Sequence, residues 1–338
     1  MYPDPANVSY TRPILFLFVL SPVIGELLSG SSPPLEFFNP LTFLILASLY
    51  GSGAVLVREY ARRWGKGWRS ILFLGAAYGI IEEGILVRSF FDPGWVDLGV
   101  LGTYGRWLGV NWVWAEWLTI YHAIFSITIP ILLVELYYPQ YRAQPWLSPK
   151  QKRLFQTIFI SVTLFGLVGF PYYAPELVVW LPACLVAVYL LTWYARRIPN
   201  NTSVQAGLKV SWRKLAPLGF SVPFAFFFLF NSALIPIPAI TMLIGILGVL
   251  GYERILRRWA HEGFTDLQRL GLAGGALGFF MFFDVILEIN GLLGMSAVGI
   301  AFFVFILRLR QRILRRLRVS LQNPSPKVEF SPQQPTLR

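Results

Sequence analysis

The chain has little of what a soluble protein needs. Only 14% of its 338 residues are charged, against roughly a quarter in soluble domains, so it lacks the polar surface to be one. It has one cysteine, Cys184, which excludes an intramolecular disulfide framework and a cysteine zinc cluster. Only two histidines, His122 and His261, are present. No P-loop, nucleotide fingerprint, haem motif or Ser-His-Asp arrangement occurs in the required context.

What the chain does have is apolar surface. Hydrophobic residues make up 55% and aromatic residues 16%, which excludes disorder outside the ends. The balance of 29 Lys+Arg against 17 Asp+Glu gives a net charge of +12. A nucleic-acid binder could be that basic, but not on so apolar a chain. Together these observations imply a polytopic, all-α transmembrane helix bundle.

A membrane-spanning helix needs about 20 mostly apolar residues. Runs of that kind lie near 13–29, 40–57, 70–90, 112–136, 154–173, 176–195, 215–235, 237–253, 270–289 and 291–308. The chain then divides into an N-terminal segment 1–12, a domain of about ten spans over 13–308, and a basic helix end with a disordered tail over 309–338. Pro171, Pro175, Pro236 and Pro238 mark hairpin tips, because proline disfavours helix continuation. Numbering the runs in order, every lysine and arginine except Arg88 and Arg106 falls before run 1, in the even-to-odd connections, or from the last residue of run 10 onward. The positive-inside rule then predicts ten spans with both termini cytoplasmic, as expected in a plasma (inner) membrane. The basic stretch 306–318 predicts contact with anionic headgroups at the cytoplasmic face of the bilayer. No nucleic-acid partner is expected.

The carboxylates carry the functional signal. An ionisable group inside a span is costly and marks a candidate site. The set is Glu26, Glu82, Glu83, Glu116, His122, Asp284 and Glu288, with Asn231 beside them. At about 1.5 Å per residue, all fall between the midplane and the outer face. They predict an acidic cavity open to the outside, binding a proton or a small cationic substrate through Glu83, Glu116, His122, Asn231, Asp284 and Glu288. Gly75, Gly79 and Glu83 form one helical stripe, and Gly271 and Gly275 precede Asp284; such glycines let neighbouring backbones approach closely.

Glu82-Glu83, then Arg88, then His122 in the next span resembles the CAAX-protease and bacteriocin-processing family of intramembrane peptidases. Four residues separate Glu83 from Arg88 where the family has three. Leu118 stands at the family's aromatic position, and the only other histidine, His261, lies in a basic loop. The resemblance implies catalysis by Glu82, Glu83 and His122, with Glu83 as base on a water and His122 orienting it or stabilising the oxyanion. A divalent metal is a candidate cofactor if enough of these side chains converge. Three roles therefore stand after the sequence: a proton- or cation-linked secondary transporter, favoured by the number of spans and the lack of extramembrane domains; a glutamate-dependent membrane hydrolase; and a membrane scaffold or assembly factor.

Overall fold

The computed structural model describes residues 9–169, 177–199, 210–259 and 263–322. Ten long helices occupy the ten apolar runs. They are α1 (11–27), α2 (Pro40–Arg63), α3 (68–86), α4 (Trp112–Tyr137), α5 (Pro149–Gly169), α6 (Leu177–Arg197), α7 (Trp212–Asn231), α8 (Pro238–Trp259), α9 (Asp266–Ile289) and α10 (Met295–Gln322). Seven of these, α2 and α4 through α9, are long and apolar enough to cross a membrane. The helix of the last run does not stop at 308. It continues through the basic stretch to Gln322. The tips at 171–175, His261 and the tail from 323 lie outside the described residues.

Local chemistry sets the helix ends. Asn39 caps α2, accepting from Leu41 and Thr42 N–H, with Pro40 at the first helical position. Thr265 and Gln268 form a reciprocal capping box on α9. Pro130 returns no N–H to the carbonyl of Ser126, four residues earlier, and the Ser21 hydroxyl of α1 donates to that carbonyl at 2.6 Å. A proline in one helix thus creates the acceptor that ties it to another.

Helices α2 and α4 are mostly buried, whereas α5, α6 and α8 are mostly exposed. Val178, Leu190, Leu243 and Ile300 are among the large apolar side chains left uncovered. An apolar rim around a packed interior is what lipid as a solvent selects. The glycine stripes do what their spacing predicts. A methyl on Gly75 would lie 2.9 Å from Ala123 Cα, and one on Gly79 would lie 3.0 Å from His122 Cβ, so α4 seats directly on α3. A methyl on Gly275 would lie 2.0 Å from the Ala216 carbonyl oxygen, which sets the α7–α9 contact. Gly275→Ala is therefore expected to destabilise the protein by about 1–3 kcal/mol through overpacking. Gly251→Ala, with nothing within 4 Å of the added methyl, is the neutral control. Thermal unfolding in detergent compares the two, and equal effects would refute the close-approach account.

Outside the helices, the connection from α3 to α4 is ordered. It holds a two-residue hairpin, β1 (Arg106–Trp107) against β2 (Val110–Asn111). Its tip, Leu108-Gly109, has positive φ at both residues, as a tight primed turn requires. Arg106 fastens this loop by donating to the carbonyls of Phe91, Asp92, Gly102 and Gly109.

At the opposite helix ends, Glu135 bridges Arg58 at 3.0 Å and Arg62 at 2.8 Å. Arg58 is fully buried, donates to the carbonyls of Tyr141, Arg142 and Gln144, and lies 3.3 Å over the Trp146 ring. Arg142 meets Asp266 through two parallel bonds of 2.9 and 2.8 Å. These bonds hold the Arg142 guanidinium above its usual pKa.

Candidate functional site

Four of the long helices depart from regular α geometry. Their hydrogen bonding widens into π turns at Val23–Leu27 in α1, Ala47–Gly51 in α2, Ile81–Leu86 in α3 and His122–Thr128 in α4. Such turns are rare and concentrate at functional sites. Here they carry Glu26, Tyr50, Glu82 with Glu83, and His122 with Ser126, and these side chains converge.

His122 is the hub. It is 2% exposed, and Glu82 and Glu83 are 4% and 8% exposed. Its Nε2 lies 2.8 Å from Glu83 Oε1. Its Nδ1 lies 2.9 Å from Ser126 Oγ and 3.2 Å from Glu82 Oε2. Successive glutamates on a regular helix point about 100° apart, and here they reach opposite edges of one imidazole. The Ser126 hydroxyl can donate or accept, so the ring keeps a partner on Nδ1 whether neutral or protonated.

The second oxygen of Glu83 accepts from the Ser89 hydroxyl, which in turn accepts from Trp114 Nε1 at 3.0 Å. Arg88 makes this return possible. Its φ of 64° ends α3 and turns the chain back over the carboxylate. Glu83 is thereby gripped from both sides, while Glu82 Oε2 has only its 3.2 Å contact with His122 Nδ1 among the described residues. Three tyrosine rings enclose the imidazole, with centroids at 6.0 Å for Tyr50, 6.1 Å for Tyr78 and 5.2 Å for Tyr121. Beyond Tyr50 lies Glu26, half-buried, which accepts from the Tyr50 hydroxyl and from Ser32 Oγ at 2.9 Å.

One donor atom from each of Glu82, Glu83 and His122 falls within 4.8 Å of the others. Two carboxylates that close together in a water-poor site need a shared proton or a cation between them. Three protein donors also match the ligand count of a catalytic divalent-metal centre.

The remaining candidates do not join this cluster. Asp284 is fully buried on α9 with neither oxygen partnered among the described residues. It is covered by α10, where a methyl on Gly299 would come 3.0 Å from its Oδ2. Glu116 lies nearer the start of α4, and both its oxygens are buried and unpartnered among the described residues. Asn231 donates back to the Phe227 carbonyl of its own helix. Glu288 accepts from the Ser296 N–H and serves the start of α10. The expected single acidic cavity thus resolves into one tight cluster and separate carboxyls, because α9 presents Asp284 and Glu288 to α10 rather than to α3.

Sequence reasoning missed Ser89, Trp114 and the three tyrosines. Tyrosines at the depth of the carboxylates were the available signal, since a buried hydroxyl needs a partner.

Fold and site together define an integral membrane protein built as an all-α helix bundle, with a carboxylate–histidine cluster inside it. A family model described as "Uncharacterized membrane protein family" matches residues 15–286, and the chain belongs to that family. Neither the curated proteins nor the solved structures contain a match.

Proposed function

We propose that the protein is a glutamate-dependent intramembrane hydrolase in which Glu83 and His122 activate water. One observation carries this reading. The Glu83–His122 contact of 2.8 Å is held from behind on both sides, by Ser89 on the carboxylate and by Ser126 on the imidazole. A general base and its partner must be oriented before the substrate arrives, and this pair is. A water admitted between them loses a proton to Glu83 as its oxygen attacks the carbonyl carbon of an ester or amide. His122 donates a hydrogen bond to the developing oxyanion. The proton on Glu83 then passes to the leaving oxygen or nitrogen as its bond to carbon breaks. The resemblance of Glu82-Glu83…Arg88 and His122 to the CAAX-protease family points to the same roles. A divalent cation held by Glu82, Glu83 and His122 would lower the pKa of such a water.

A second reading, proton- or cation-linked transport, draws support from the unpartnered carboxyls of Asp284 and Glu116. It is weakened because Asp284 stands outside the cluster it would have to share. Purified protein in proteoliposomes separates the two. Cleavage of ester or amide amphiphiles, lost in Glu83→Gln and without proton or cation flux, supports the hydrolase. Flux lost in Asp284→Asn, without cleavage, overturns it.

The ten-span arrangement with both termini in the cytoplasm of a plasma membrane belongs to this proposal. It has its own check: single cysteines at Lys66 and Gln151 in a Cys184→Ser background should react with an impermeant thiol reagent only from the cytoplasmic side. One at Gly94 should react only from the outside.

A further inference from the structure

A groove of about 500 Å³ runs beside the cluster, bounded by α4, α6, α8 and the residues after α3. Its size falls in the usual range for ligand pockets, roughly 300–1,000 Å³. Its walls follow from helical spacing. On α8, Met242, Ile246, Val249 and Leu250 form one stripe, about 12 Å long at 1.5 Å per residue. Opposite them, Ala183, Cys184 and Ala187 of α6 are small side chains that leave the space open. Trp112 and Trp180 both line it. Tyr104 of the outer loop, hydrogen-bonded to Thr241 at 2.6 Å, pins α8 beside the groove.

Two facts identify what fits. First, the groove faces lipid. Ile246 and Leu250 line it and are 49% and 56% exposed on the apolar rim of the bundle, so an occupant comes from within the bilayer. Second, the walls are apolar except near Glu116 and Thr119. Both Glu116 oxygens are buried and have no partner among the described residues. A buried acceptor left unsatisfied costs free energy that a donor from a ligand would recover, and a cationic donor recovers most.

We infer that this groove binds a membrane amphiphile through a protonated amine headgroup at Glu116, with its hydrocarbon chain along the α6–α8 walls. The site adjoins the cluster. Thr119 lies one turn before His122, and Cys184 Sγ would lie 2.9 Å from a methyl on Gly84, the residue after Glu83. Binding does not depend on the hydrolase reading; only the step from bound amphiphile to substrate does.

The test uses full-length protein in phosphatidylcholine nanodiscs and reads tryptophan fluorescence. The probes are hexadecylamine and hexadecanol, each brominated along the chain so that it quenches Trp112 and Trp180. The amine should reach saturable quenching at about a tenfold lower mole fraction than the alcohol. Glu116→Gln should abolish that preference, and Ala187→Phe, which fills the groove, should remove saturable quenching by both. The double change Trp112→Phe/Trp180→Phe should remove most of the saturable signal. Equal quenching by amine and alcohol in the wild type overturns the inference, as does amine binding that survives Ala187→Phe. Should Glu116→Gln fail to fold, those two comparisons still decide. Saturable amine binding, with no cleavage of ester or amide amphiphiles by the same protein, would leave the groove standing and remove the hydrolase.

Discussion

Glu83→Gln is expected to lower turnover by about 10²–10⁴-fold, the span over which a positioned general base acts, while leaving the fold intact. Glutamine matches the glutamate in size and can still pair with Ser89 and His122, so the packing around α3 and α4 is kept. What it loses is the ability to take a proton from water. The deficit should therefore fall on kcat and leave KM nearly unchanged, as expected for an interaction made only in the transition state. Glu82→Gln provides the contrast. Glu82 touches His122 at 3.2 Å but has no gripping partners of its own on Oε2, so its loss should cost less if it serves only electrostatically. An equal loss in both variants would favour a metal held by both carboxylates, and stoichiometric Co²⁺ binding then provides the direct check. Wild-type turnover in Glu83→Gln would sink the hydrolase reading altogether.

The largest stability effect is expected far from the cluster, at Glu135. Removing one partner of a buried ion pair costs about 3–5 kcal/mol, because a charge is left uncompensated. Glu135→Ala would strand the fully buried Arg58, which keeps its three carbonyl acceptors and the face of Trp146 but loses its bonded counter-charge, the nearby Glu59 being paired with Arg63. The triple variant Arg58→Met/Arg62→Met/Glu135→Leu removes all three charges and should recover much of the loss, as apolar replacements of buried ionic groups do elsewhere. Denaturant unfolding in detergent measures all three proteins. A loss below about 1 kcal/mol in Glu135→Ala would mean that the carbonyl acceptors and the Trp146 ring suffice to hold Arg58.

Much of this molecule was legible in the sequence. The apolar runs mark the ten helices, the Gly75/Gly79 stripe marks a close approach by a neighbouring helix, and Glu82, Glu83 and His122 stand out as ionisable groups inside apolar runs. Other parts were not legible, for identifiable reasons. Arg58, Arg62 and Arg63 counted only as topology signals, because a cation's role in orientation says nothing about whether a carboxylate from another helix will meet it. Asp284 and Glu288 were grouped with Glu83 by depth alone, and depth does not fix which neighbour a helix faces. A regular helix turns 100° per residue, and the wide turns at 81–86 and 122–128, where the site sits, depart from that spacing.

Those wide turns imply a kind of fragility that composition does not capture. Each is equivalent to one residue too many for the helix that holds it, so α1, α2, α3 and α4 each carry a surplus position at the cluster. Deleting a single apolar residue such as Ile85 would let α3 close as an ordinary helix. The flanking helix would keep nearly its present phase, while Glu82 and Glu83 would lose the wide turn that brings them to opposite edges of the His122 ring. The chemistry of this site can thus be lost through a change in chain length alone, with no acidic residue, histidine or serine replaced.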